Sequence, residues 1–266
     1  MLPILSDLTL REHVRALLPE WSRLPDAAVE RTRLLPSRSP DHGDIGTDAA
    51  MLAAHLAGVP GAVFAARLAE RLTGPYQVRV AGPGFINLTF SQDALDGILP
   101  GLLGSVLGSP PPPRATSMTL PLATMCHLDA DFMVQYAHAR CHSVLRAAAD
   151  MPGLGGHDPA FLAGAARGWF VAGPSRVLLC RLEHWTRLAG TPGSPPDLRR
   201  IMLFLRDLGQ QFEHLWKASR EHATLRLLYP AERSRSLANV ALVLATAGVI
   251  RSGLELLEVG AAEEIR

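Results

Sequence analysis

The chain has 266 residues, 48% of them apolar and 6% aromatic, a balance that excludes overall disorder and gives enough length for two modest domains. Its 26 basic and 25 acidic residues leave a formal charge of +1, which excludes a strongly basic nucleic-acid binder and confines any such contact to local patches. The opening MLPILSDLTLREHV has no positive n-region, and no later segment gives about 18 uninterrupted apolar residues, so a cytoplasmic protein with no membrane partner is expected.

In chain order, Leu8 to Leu18 and Thr47 to Leu56 have the spacing of amphipathic helices. Pro60 opens a third through GAVFAARLAERL, because a proline at a helix start gives up an N–H that had no partner there. The period then changes. YQVRV (Tyr76 to Val80) and FINLTF (Phe85 to Phe90) alternate as half-buried strands joined by AGPG, where Gly82 and Gly84 permit positive φ on either side of Pro83. SQDALDGILPGLL returns to helix with Ser91 as N-cap.

Residues 104–122, with four consecutive prolines and no helical period, read as a semi-rigid linker. Beyond them Asp131 to Ala149, Pro174 to Leu188, Pro196 to Arg220 and Ser236 to Leu257 are helical, separated by glycine and proline clusters. The expected fold is an α+β domain over 1–103, a small antiparallel sheet with helices, then the linker, then an all-α helical bundle over 123–266. Residues 1–103 carry 9 basic against 11 acidic groups and the remainder 17 against 14, so neither part is strongly basic. With Lys217 the only lysine, positive surface is built from guanidinium groups. Cys126, Cys141 and Cys180 cannot all pair, which suits a reducing compartment.

The helix FMVQYAHARCHSVLRAA raises a question of its own. Met133, Tyr136, Ala137, Cys141, Val144 and Leu145 form an apolar stripe, yet Gln135, His138, Arg140 and His142 fall on or beside its margin. Either these groups satisfy one another in a buried network or the helix is also a wall of a binding groove. A zinc site from Cys126, His127, His138, Cys141 and His142 is the rival reading, but their spacing matches no known zinc signature, and no metal or other cofactor is expected.

Two regions resemble the arginyl-tRNA synthetase family. HGDIGTDAAMLAAHLAG with VAGPGFINLTF is similar to the amino-terminal add-on domain of its bacterial members. VQYAHARCHSVLRAA with the final LANVALVLATAGVIRSGLELLEVGAAEE is similar to the carboxy-terminal DALR-type anticodon-binding bundle. The resemblance implies tRNA, arginine-type, as partner rather than DNA. It places Gly82, Phe85 and Asn87 at the D-loop, where an unstacked base is read by ring stacking and edge hydrogen bonds. It places Gln135, Tyr136, His138, Arg140 and Trp216 at the anticodon region, Trp216 standing where the family usually has tyrosine.

The departures from the family bear on activity. Members carry a large nucleotide-binding catalytic domain between these parts, whereas here only the proline-rich linker separates Leu103 from Met125, and no His-x-Gly-His motif occurs. Lys217-Ala218-Ser219-Arg220 is a poor echo of the Lys-Met-Ser-Lys-Ser loop in the wrong domain, so no catalytic residue is expected. Asn239 and Ala247 stand where the family tends to have arginine, which implies two lost phosphate contacts. Ile265 replaces a common terminal methionine. The expected function is a catalytically incompetent protein that binds tRNA and presents it to a modifying enzyme, a synthetase or a complex. Alternatives are a protein-interaction module with decayed tRNA surfaces, or the non-catalytic subunit of a split arginine–tRNA ligase.

Overall fold

A computed structural model describes residues 5–18, 29, 31–37, 39–108, 128–189 and 196–264. Most of the expected linker, together with Cys126, His127 and Ile265, therefore lies outside the described residues. The chain divides into two compact units, Leu2–Leu95 and Asp96–Arg266 with Met1.

In the first unit, helix α1 (Asp7–Leu17) starts where the Ser6 hydroxyl accepts from the Thr9 amide at 3.0 Å, and it buries Leu10, Val14 and Leu17 along one face. Strands β1 (Leu35–Pro36) and β2 (Ile45–Thr47) follow, then helices α2 (Ala49–Ala57) and α3 (Gly61–Arg71) and the hairpin β3 (Tyr76–Ala81) and β4 (Phe85–Phe90). The four strands form one antiparallel sheet in the order β1-β2-β4-β3. The small antiparallel sheet with helices is as expected, but β1 and β2 are two and three residues long, too short for a period of two to show in the sequence.

The HGDIG motif explains why β2 pairs where it does. Asp44 donates its amide to the Leu88 carbonyl at 2.8 Å and accepts on its carboxylate from the Phe90 amide at 2.7 Å. A carboxylate held this way fixes the register of β4 against β2, and with it the face on which every β4 side chain lands. Ile45, Ile86, Leu88 and Phe90 are buried on the face where α2 and α3 pack, while Gln77, Arg79, Phe85 and Thr89 are exposed on the other.

Helix α4 (Gln92–Gly108) is capped by Ser91, whose hydroxyl accepts from the Ala94 amide at 3.2 Å. It contains Pro100 and continues through Gly104 to Gly108, residues expected to belong to the linker. The second unit then comprises α5 (Leu128–Ala149), α6 (Pro159–Ala165), α7 (Gly173–Leu188), α8 (Leu198–Glu221) and α9 (Arg233–Leu256). Helix α6 was not foreseen: its seven residues are too few for a helical period, although Asp158 caps it by accepting from the Phe161 amide at 2.9 Å and Pro159 opens it.

Helix α9 is the centre of the bundle and packs on α5, α6, α7 and α8. It is long and apolar enough to cross a membrane, but 83% of that stretch is buried inside the protein, so its hydropathy is that of a core helix. Gly253 permits this closeness, since a Cβ there would stand 2.7 Å from Leu205 Cδ2 of α8. After α9 the chain turns at Glu258, which takes a positive φ of 59°, and residues 259–264 bond back to α5.

Candidate functional site

Among the described residues, each unit carries an arrangement of solvent-accessible, chemically competent side chains. In the first it is the open sheet face at the tip of the β3–β4 hairpin. Gly82 takes φ +53° and Gly84 φ +135°, both favouring glycine. Gly84 also abuts the start of α3, where a Cβ would stand 2.8 Å from the Gly61 carbonyl. The turn is thus clamped to the helix and holds β4 rigidly. On β4, Phe85 presents its ring at 44% exposure. Asn87 is half-buried beside it, and its side-chain amide makes no hydrogen bond among the described residues. A ring face and an unpaired amide two residues apart on a rigid strand can stack a flat heterocycle and read its edge.

In the second unit, α5, α8 and the tail after α9 surround a cavity of about 350 Å³ lined by Tyr136, Arg140, Arg146, Trp216, Glu263 and Glu264, with Ala139 and Ser143. Arg140 organises it. Its guanidinium pairs with Glu213 of α8, donates to the Tyr136 hydroxyl, and lies 4.0 Å from the Tyr136 ring centroid and 5.3 Å from that of Trp216. Tyr136 in turn stacks on the exposed Phe132, ring centroids 5.6 Å apart. The result is a cation fixed beside two aromatic rings, its terminal nitrogens engaged by Glu213 and Tyr136, at the wall of a cavity where a planar group can stack.

The remaining polar groups of α5 do a different job. Gln135 Nε2 donates to the Gly260 carbonyl at 2.6 Å and its Oε1 accepts from the Ala262 amide at 2.9 Å. His138 is only 1% exposed, its Nδ1 lies 2.8 Å from the Ala262 carbonyl, and its ring contacts that of His142 at 4.6 Å. Neither side chain opens onto a groove; both fasten the tail. His138, which the resemblance assigns to the anticodon region, has no surface to offer there. Tyr136, Met133 and Leu145 are half-buried rather than plain core, whereas Ala137, Cys141 and Val144 are buried as the stripe implies.

Among the described residues no three His, Cys, Asp or Glu side chains gather as a metal site. Burial and then the Glu213 charge push the Cys141 thiol well above its usual range, away from the thiolate that a metal needs. Asn239 and Ala247 lie on the inward side of α9. They are 7% and 4% exposed, and Asn239 Nδ2 donates to the carbonyls of Arg226 and Leu227, at 3.3 and 3.0 Å. Neither side chain faces solvent, and Asn239 serves instead to hold the segment before α9.

The comparisons with known proteins follow these two units. The family model described as the arginyl tRNA synthetase N terminal domain matches residues 8–90, and that of the DALR anticodon binding domain matches residues 134–265. The chain belongs to the arginyl-tRNA synthetase family. It is 39% identical over 135 residues to the arginine–tRNA ligase of Gluconobacter oxydans, an alignment covering 51% of this chain and 22% of that protein. It is 38% identical over 136 residues to that of Rhodospirillum rubrum, covering 51% and 23%. The match to that of Allorhizobium ampelinum is 35% over 136 residues, again 51% and 23%. These alignments span under a quarter of the length of the curated relatives. The two family models cover only non-catalytic domains, and residues 91–133 alone lie between them.

Family membership gives the two arrangements one setting, since the hairpin lies in the first matched region and Tyr136, Arg140 and Trp216 in the second. Sequence reasoning missed Glu213, Arg146, Glu263 and Glu264. Glu213 had a detectable signal, since it lies three residues before Trp216 and thus on the same side of α8. The tail residues had none, because nothing local shows that the chain doubles back.

Proposed function

We propose that this arginyl-tRNA synthetase relative binds tRNA, arginine-type by family, without aminoacylating it, and holds it for a modifying enzyme, a synthetase or a larger complex in the cytoplasm. The observation that carries the reading is Arg140 locked against the Tyr136 and Trp216 rings beside an open cavity in the anticodon-binding domain. A preformed stacking site of this kind loses little side-chain entropy on meeting a base. The free amide of Asn87 beside exposed Phe85 supports a second contact, at the D-loop. The absence of catalytic activity is supported by the short interval between the matched domains and the missing His-x-Gly-His motif.

An equilibrium titration with arginine tRNA and an unrelated tRNA at two salt concentrations tests this. Binding that weakens with salt is expected, and binding of neither overturns the reading. ATP–pyrophosphate exchange by the chain alone should stay at background, and measurable exchange overturns catalytic incompetence.

A second reading, a protein-interaction module, is favoured by Glu263 and Glu264, which place carboxylates on the rim of the cavity, and by the net charge of +1. Capture of a partner that survives ribonuclease treatment, with no affinity for purified tRNA, would select it. A split ligase, with the catalytic domain on another polypeptide, is selected if aminoacylation appears when cell extract is added back.

A further inference from the structure

The open sheet face of the first unit carries more than Phe85 and Asn87. In register across the strands, Leu35 faces Gly46, Gly46 faces Asn87, and Asn87 faces Arg79. Side chains on paired positions share a face, so these four form one row on the exposed side. Gly46 leaves the row open beside Asn87, since a Cβ there would stand 3.1 Å from Asn87 Oδ1. Arg79 closes the row on the other side. Its guanidinium is exposed, with no hydrogen bond or ion pair among the described residues, and none of the residues in the four strands is acidic.

We propose that Arg79 contacts a backbone phosphate of the RNA loop whose base meets Phe85 and Asn87. This rests on the tRNA-binding reading above and adds a residue to it. In a nucleotide the sugar separates base from phosphate by more than the spacing of adjacent strands, so a base seated on one strand can place its phosphate over the next. Arg79 is the cation on that strand, directly opposite Asn87. An unneutralised guanidinium on strands that carry no carboxylate suits a phosphodiester, which it meets as a two-pronged fork.

The test titrates an arginine tRNA transcript, with and without its D-loop base, at 50 and 200 mM salt against the full chain and the variants Arg79→Gln, Arg79→Lys and Asn87→Ala. Removing one phosphate contact lowers the slope of log affinity against log salt by about 0.7–0.9, so the loss in Arg79→Gln should be about threefold larger at 50 mM than at 200 mM. Arg79→Lys should keep the parental slope. On the base-deleted tRNA the Arg79→Gln effect should persist, because the phosphate remains, while that of Asn87→Ala disappears. An unchanged slope in Arg79→Gln, with Asn87→Ala still weakening binding, overturns the Arg79 assignment and leaves the tRNA reading standing. Failure of the parent chain to bind sinks both. Loss of a ribonuclease-resistant protein partner in Arg79→Gln, with the tRNA slope intact, assigns the face to protein and also overturns the proposal.

Discussion

Nδ1 of His138 lies 2.8 Å from the carbonyl oxygen of Ala262, a residue 124 positions later in the chain. A carbonyl only accepts, so the imidazole carries its proton on Nδ1. Gln135, one turn earlier, closes the same clamp from the other direction by accepting from the Ala262 amide. Gln135→Ala should therefore release that amide. Hydrogen exchange at Ala262 should accelerate by about 2- to 12-fold, the equivalent of one net hydrogen bond of about 0.5–1.5 kcal/mol. Unchanged exchange would show that the tail is held by other means.

The bundle should lose stability in mild acid. Burial lowers the pKa of His138 and His142 and lowers that of His184 well below 6.5, where Arg187, Arg200 and Arg181 add to the effect. The unfolded chain then takes up protons as pH falls through about 6.5 while the folded chain does not, so each neutral imidazole contributes stability that is complete above that pH and lost below it. Thermal unfolding at pH 7.5 and pH 5.5 should give a lower midpoint at pH 5.5. His184→Phe should flatten the dependence.

Arg140 is held in place by Glu213. Trp216→Ala should weaken tRNA binding by about 1–3 kcal/mol if the ring stacks a base. Glu213→Gln keeps the shape of the site but frees the guanidinium from its ion pair. It should reduce affinity by less, and by a smaller factor still when Arg140 is already alanine. Additive losses in that double-mutant cycle would show that Glu213 does not act through Arg140.

In the first unit, Gly84→Ala forces a side chain into a φ of +135° and against the Gly61 carbonyl. A cost of about 1–3 kcal/mol in stability is expected by chemical denaturation. Gly82→Ala, where the nearest atom would be 4.0 Å away, should cost less despite its own positive φ.

Much of this was legible in the sequence where the signal is local. The β3–β4 hairpin, its glycine turn and the long helices follow from periods that the sequence carries openly, and Phe85 and Asn87 stand where the alternation puts them. What was hidden depends on distant partners. β1 and β2 are strands through their pairing with each other and with the distant β4, beside which Asp44 is tied to Leu88 and Phe90. The polar groups of α5 were read as one margin, but they divide by neighbour: Gln135 and His138 serve the returning tail, and Arg140 serves the cavity. Residues at consecutive turns of one helix met different elements, and no spacing rule separates those fates.

The central place of α9 has a consequence for how the protein is made. It packs against α5, α6, α7 and α8, yet it is synthesised after all of them. Until residues 233–256 leave the ribosome, the inward faces of the earlier helices lack the surface they all share. Nascent chains stalled before residue 233 should therefore bind hydrophobic-sensing chaperones, and the bundle should acquire protease resistance abruptly once α9 has emerged.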